Sequence, residues 1–161
     1  MDHLWTPWRS TYVAGANRPP DGQCIFCVAA SHADAENYVL NRGQHNFIML
    51  NLFPYTNGHL MIAPFAHVSR LSAMEQAARM EMMDLANRCE RILESVYHPD
   101  GLNLGMNLGE AAGAGVAGHI HLHVLPRWTG DANFMTTVGQ TRVMPESIPQ
   151  TYAKLLPAFS A

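Results

Sequence analysis

Cysteine is scarce and odd in number: Cys24, Cys27 and Cys89 are the three in a chain of 161 residues. Such a set does not make a disulfide framework. Cys24 and Cys27 also stand too close for a typical structural bridge, so a reducing cytoplasm is the simplest compartment. Charge is sparse, at 14% of residues with a formal net charge of −3. No stretch clusters Lys and Arg, which leaves no electrostatic footprint for a nucleic-acid backbone. An anionic substrate would have to be held by local donors. No apolar run approaches a membrane span, and "MDHLWTPWRSTYV" lacks the basic-then-apolar pattern of a signal peptide. Internal repeats and low-complexity segments are absent as well. What is plentiful is apolar residues, 48% of the chain, enough for one globular domain with a real core and too short for two. The ten methionines are read as adaptable core packing.

Along the chain, residues 1–23 carry Trp5, Trp8, Pro7, Gly15, Pro19, Pro20 and Gly22 and read as an irregular arm that must pack somewhere, because exposed tryptophans are costly. Residues 37–42 and 46–51 predict two strands with a turn at Gly43, "FPYTNG" a loop, and 59–63 a third strand stopped by Pro64. Ser72 and Glu75 make an S-x-x-E capping box. Beyond it, Met74, Ala78, Met82, Leu85, Cys89, Ile92 and Val96 recur at spacings of four and three, one apolar stripe on a helix of roughly 25 residues, about seven turns. Cys89 lies on that stripe and reads as core. "HPDG" at 98–101 ends the helix. Residues 102–108 alternate like a strand, 109–118 form a glycine- and alanine-rich loop, 119–125 form a last strand, and a short helical tail falls near 147–156. This order predicts an α+β fold with a mostly antiparallel sheet of about five strands and one long helix on one face.

The last strand reads "HIHLHVLP". Side chains alternate faces along a strand, with i and i+2 about 6.5–7 Å apart. His119, His121 and His123 therefore share one face, and Ile120, Leu122 and Val124 the core face. A half-buried strand needs the apolar set but has no need of histidine opposite it. Two chemistries want such a row: metal ligation, for which H-x-H supplies two ligands, and nucleophilic attack on phosphorus, in which one imidazole attacks while its neighbours hold charge and move a proton. The preceding "GEAAGAGVAG" favours the second. With almost no side chains, its N–H groups can approach and cradle a phosphate. "CIFC" at 24–27 has the spacing of half a zinc site, and otherwise reads as two packed thiols or a redox pair.

"HIHLHVLP" matches the pattern His-φ-His-φ-His-φ-φ, and residues 24–135 resemble the histidine-triad (HIT) family. "NGHLMIAP" is similar to the family's strand with its own histidine, His59. "NLGEAAGAGVAGHIHLHVLPRWTGDANFM", with "WTPWRSTYV" and "CIFC" ahead of it, resembles the bacterial branch that contains diadenosine tetraphosphate phosphorylases, while "PRWTGD" departs from the phosphoramidase branch. The resemblance implies roles. His121 would attack the α-phosphate and form a nucleotidyl-histidine intermediate, its other nitrogen holding the N–H against an acceptor, expected to be a backbone carbonyl. His123 would face the phosphate, with His59 behind it as hydrogen-bonding partner. Asn107 and the N–H groups of Gly113, Ala114 and Gly115 would bind phosphate oxygens, and Asn51 ribose hydroxyls. The loop between Asn107 and the triad is one residue longer than in the fragile-histidine-triad branch. Ile25, Phe26 and Phe47 serve either as base pocket or as core. By analogy with zinc-containing relatives, Cys24, Cys27, His67 and His119 would hold a structural zinc, with His45 and His98 as substitutes for His67; His3 and His32 have no assigned part.

The activity so implied is nucleotidyl transfer on dinucleoside polyphosphates, with inorganic phosphate as acceptor. The alternatives are a hydrolase of dinucleoside polyphosphates or nucleoside phosphoramidates, a non-catalytic nucleotide-binding module, and, last, a metal-dependent hydrolase that uses all three histidines as ligands. The expected organisation is an arm over 1–23, the HIT domain over 24–135 and a tail over 136–161 packed on it. The expected assembly is a homodimer, since an unpaired sheet edge is a liability and histidine-triad proteins pair through sheet and helix. Neither nucleic acid nor membrane is an expected partner.

Overall fold

The computed structural model describes residues 22–132, 134, 138 and 145–160. The arm with Trp5 and Trp8 therefore lies outside the described residues, apart from its last two positions. Strands β1 (Val39–Arg42), β2 (Asn46–Leu50), β3 (Leu60–Pro64), β4 (Gly101–Gly105) and β5 (Leu122–Arg127) form one sheet in the order β1-β2-β3-β5-β4. Every pairing is antiparallel. The described residues also form three α-helices: α1 (Ile25–Ser31), α2 (Gln76–Tyr97) and α3 (Ile148–Ser160). This is the α+β architecture expected, with the one long helix between β3 and β4.

Strand alternation divides the core between the two sheet faces. Leu40, Ile48, Leu50, Leu60, Ile62, Leu122 and Val124 point to one face, where Ala78, Met82, Leu85, Cys89 and Leu93 of α2 and Leu155 and Phe159 of α3 cover them. Val39, Phe47, Met49, Met61 and Ala63 point to the other, beneath Phe26 and Ala29 of α1. Ile120 joins the first cluster, so the grease of "HIHLHVLP" faces the long helix and its histidines face the side that α1 only partly covers. Cys89 is fully buried, and burial pushes its thiol up to about 12: it is core, as the stripe predicts.

Several boundaries differ from expectation. Helix α2 starts later than the capping box predicts. Ser72 lies in a 3-10 turn, Leu71–Ala73, and Glu75 is the extended residue before the helix, with no side-chain cap. Arg79 satisfies the neighbourhood instead, donating to the carbonyls of Leu71 and Met74. The strand expected over 119–125 runs Leu122–Arg127 and passes through Pro126. The Pro126 carbonyl accepts from Thr56 Oγ1 at 3.1 Å, on the side where β3 has already ended. In an antiparallel strand a residue's N–H and C=O face the same neighbour, so the missing N–H costs no bond to β4. Strand β4 stops at Gly105 rather than 108. Helix α3 outlasts the expected tail and continues past Pro157, because Phe159 is buried in the core and its carbonyl accepts from Arg88 at 2.7 Å. Helix α1 was not expected; Ser31 Oγ donates to the Cys27 carbonyl at 2.6 Å, and Phe26 anchors it with no exposed surface.

Candidate active site and metal centre

His123 sits on β5 opposite Met61 of β3 on one side and Gly105 of β4 on the other. His119 and His121 precede β5, tied to the body by Ile120 N–H donating to the Val68 carbonyl at 2.7 Å. All three imidazoles are buried, as is His59, just ahead of β3. Their hydrogen bonds fix the tautomers. The Tyr55 N–H donates to His59 Nδ1 at 3.1 Å, so the His59 proton sits on Nε2 and is donated to His123 Nδ1 at 2.9 Å. Neutral His123 then carries its own proton on Nε2. His121 Nδ1–H donates to the His119 carbonyl at 2.9 Å, which leaves the Nε2 lone pair of His121 uncommitted. The expected backbone acceptor is thus the carbonyl of its neighbour two residues back.

The electrostatics keep these rings neutral. Burial, then the adjacent His123 and His121, push His59 down to about 3. Burial, then His121, push His123 down to about 4. Burial also lowers His121, against the opposing pull of the His119 carbonyl. A neutral imidazole with a free nitrogen is a nucleophile; an imidazolium is not.

His119 belongs to a second constellation. Its Nε2–H donates to the Pro64 carbonyl at 2.9 Å, which turns Nδ1 toward Cys24 Sγ at 3.4 Å and Cys27 Sγ at 3.7 Å. His67 Nδ1 lies 3.2 Å from Cys27 Sγ. The four ligand atoms lie within 4.8 Å of one another. A tetrahedral ion with bonds of about 2.0–2.3 Å to nitrogen and sulfur needs ligand-to-ligand edges of roughly 3.3–3.8 Å. The Cys24, Cys27, His67 and His119 set matches this in donor type, number and most of its spacing. His32 is occupied elsewhere, Nδ1 on the Val28 carbonyl at 2.9 Å, and His98 closes the C-terminus of α2 in a left-handed conformation.

The glycine-rich loop leaves β4 beside His123 and folds through a 3-10 turn, Glu110–Ala112, framed by Gly109 and Gly113 at φ 94° and 86°, a region that favours glycine. Here the N–H groups of Gly113 and Ala114 are already engaged, by the carbonyls of Glu110 at 2.9 Å and Gly109 at 3.3 Å. Asn107 is half-buried in the same loop. Asn51 is buried against His59: Phe53 N–H donates to its Oδ1 at 2.9 Å, which orients the amide and places Nδ2 3.3 Å from His59 Nδ1. Phe26 and Phe47 have no exposed surface and are core; the Phe26 ring packs 4.6 Å from His121 and 5.1 Å from His119, centre to centre. Ile25 is half-buried at the edge of that core. Sequence reasoning missed Tyr55, whose N–H sets the His59 tautomer. Its only signal was its place in "FPYTNGH", four residues ahead of His59.

Three buried imidazoles at and just before the start of β5, one of them backed by a fourth and one with an open ring nitrogen, define a histidine-triad protein. The comparisons with known proteins agree. The model of the HIT domain matches residues 33–130. The AP-4-A phosphorylase of Mycobacterium tuberculosis is 38% identical over 157 residues, 94% of this chain and 80% of that protein. Among solved structures, a zinc-bound histidine triad family protein from Mycobacterium smegmatis superposes with a TM-score of 0.69 at 27% identity, covering 86% of this chain and 94% of that one. A hypothetical histidine triad nucleotide-binding protein from Sulfolobus tokodaii shares the fold, with a TM-score of 0.65 at 21% identity over 85% and 92% of the two chains. The chain belongs to the HIT domain family.

Proposed function

We propose that this protein is an enzyme of nucleotidyl transfer that cleaves dinucleoside polyphosphates such as diadenosine tetraphosphate, with inorganic phosphate as acceptor. One observation carries it: His121 Nδ1–H is held on the His119 carbonyl, which leaves Nε2 free to attack. In this reading His121 Nε2 bonds to the α-phosphorus as the P–O bond to the rest of the substrate breaks. His123, protonated on Nε2 because His59 donates to its Nδ1, holds a phosphate oxygen. The second acceptor then displaces the imidazole. The likeness to a phosphorylase over 94% of the chain supports phosphate as that acceptor. Asn107 and the loop around Gly113, Ala114 and Gly115 receive the phosphates, which requires the N–H groups of Gly113 and Ala114 to exchange their turn bonds for the ligand. Asn51 serves the ribose side while propping His59.

Incubation with diadenosine tetraphosphate, with and without phosphate, tests the reading. ADP plus ATP formed only with phosphate is the expected result. AMP plus ATP without phosphate dependence would make the protein a hydrolase. Binding with no turnover would make it a nucleotide-binding module.

The same reading places one zinc ion on Cys24, Cys27, His67 and His119, supported by the match of donor set and spacing. Four protein ligands leave no open position, so the ion is structural. It takes residues 24–135 as the catalytic domain, 1–23 as an arm and 136–161 as a tail. It also takes the protein as a cytoplasmic homodimer. That none of the three cysteines is in a disulfide supports the compartment, which cell fractionation checks. For the dimer, β4 is an edge strand with Leu104 exposed, and Met80 and Met83 stand 61% and 58% exposed on the outer side of α2. Sedimentation showing a monomer at micromolar concentration would remove the dimer.

A further inference from the structure

The paired rings of His59 and His123 are 1% and 8% exposed, yet the residue packed against both is an open one: Tyr55, at 48%. Its ring centre lies 4.8 Å from that of His59 and 6.0 Å from that of His123, tilted by 45° and 31°. A half-exposed ring in contact with two nearly inaccessible ones stands between them and solvent. Its own backbone N–H also holds the His59 tautomer. The other groups facing the pair are His121, whose ring centre is 4.8 Å from that of His123, and Asn51, beside His59. Glu146, ahead of α3, borders with His59 a cavity of about 10 Å³, its carboxylate taken by Tyr97, Thr151 and Lys154. Among the described residues, Tyr55 is the one whose ring packs on both imidazoles.

We propose that Tyr55 is a positioning residue of this site, its ring a cover that keeps water off the His59–His123 hydrogen bond while its N–H sets the direction in which that bond is donated. The role rests on the reading of the triad as catalytic, because the bond it protects is the one that puts the His123 proton on Nε2, toward phosphate. Water admitted to the pair would stabilise the charged form of either imidazole. A proton on His123 Nδ1 would abolish its acceptor and break the bond from His59. A tyrosine that merely fills space would leave the protonation of these rings unchanged when replaced.

The test is an NMR titration of the histidine rings in the ligand-free full-length protein, for the parent, Tyr55→Phe, Tyr55→Leu and Tyr55→Ala. In the parent, His59 and His123 stay neutral as pH falls through the ordinary histidine range near ~6.5. Tyr55→Phe keeps the ring and is expected to keep both midpoints. Tyr55→Ala is expected to raise them by about one pH unit or more, with Tyr55→Leu in between, and the acid limb of kcat should move with them. Midpoints unchanged in both Tyr55→Ala and Tyr55→Leu would overturn the proposal, as would a shift in Tyr55→Phe equal to that in Tyr55→Ala. Tyr55→Leu carries the test if Tyr55→Ala does not fold. The titration needs no substrate, so its failure leaves nucleotidyl transfer standing, and absence of turnover in the parent leaves the titration result standing.

Discussion

The two faces of the sheet are built to different standards. On one, α2 and α3 bury a continuous cluster from Leu40 to Phe159, with Ile48, Leu60, Ile62, Cys89, Leu93, Val124 and Leu155 at or near zero exposure. On the other, among the described residues, one helix of seven residues brings Phe26 and Ala29 onto Val39, Phe47, Met49, Met61 and Ala63, and the space next to that small cluster is filled by imidazoles. The well-covered face can hold the strands by hydrophobic burial alone, at about 25 cal/mol per Å². The thin face gives up much of that burial in exchange for polar rings held in defined tautomers. In the proposed reading, a metal clip between α1 and His119 would add the cross-link that this smaller cluster does not supply. The proposed catalytic groups and the proposed metal ligands fall on the same side of the sheet, and His119 joins them: its side chain faces the cysteines while its carbonyl orients His121.

The imidazole side of the sheet is most sensitive at His121. His121→Ala is expected to lower kcat by about four orders of magnitude or more, as loss of a nucleophile does in catalytic triads, while nucleotide binding persists, because the loop and Asn51 are untouched. Steady-state assays and calorimetric titration with a non-hydrolysable analogue check it. Retained turnover within tenfold of the parent would show that the open Nε2 of His121 is not the attacking atom.

Much of this division was legible in the residue pattern, and what was not has physical reasons. Period-two alternation put the three histidines opposite Ile120, Leu122 and Val124, and helical spacing marked the buried side of α2. Those signals are local and repeat. The misread capping box shows the limit of a local signal: Ser72 and Glu75 have the right spacing, but a 3-10 turn intervenes. Helix α1 gave no warning because it is too short for a periodicity and is held by one deep contact, Phe26. The carboxylate of Glu81, which gathers the N–H groups of Gln44, His45 and Asn46, and the ring of Tyr55 over His59 depend on tertiary placement that no spacing encodes.

Each face can also be weakened by itself. Cys24→Ser should lose the metal and cost about 3 kcal/mol, the scale of severing a cross-link, or roughly 10 °C in Tm. Activity should fall by less than in His121→Ala, through displacement of the His119 carbonyl. Leu93→Ala, on the thick face, should cost about 2–5 kcal/mol by opening a cavity, yet leave zinc at one equivalent per chain, the count for one four-ligand site. Elemental analysis beside thermal unfolding separates the two. Zinc absent from the parent purified without chelator would return "CIFC" to two packed thiols, and zinc retained by His119→Ala would show the ligand set to be wrong.

A smaller change is expected at the β1–β2 turn, where α2 holds the backbone through one carboxylate. Glu81 of α2 accepts from the N–H groups of Gln44 at 2.5 Å and of His45 and Asn46 at 2.8 Å, and from Asn46 Nδ2 at 2.7 Å. Its carboxylate fills the space over Gly43, where a Cβ would come within 2.7 Å of Oε1. Burial alone would raise the Glu81 pKa, but these donors together outweigh it and hold the carboxyl below its usual range. A group whose folded pKa is depressed stabilises the fold above its unfolded value, about 4.3 for glutamate. That stabilisation is lost as pH falls through the folded pKa, where both states are protonated. Glu81→Gln replaces one acceptor oxygen with a donor facing donors and should cost about 1–3 kcal/mol at pH 7, with zinc content and the histidine titrations unchanged. In urea unfolding, the gap between parent and variant should hold from neutral pH down to about 4.3 and narrow below it. A gap that is the same on both sides of that point would mean that the turn is held by packing against α2 and not by the charge on Glu81.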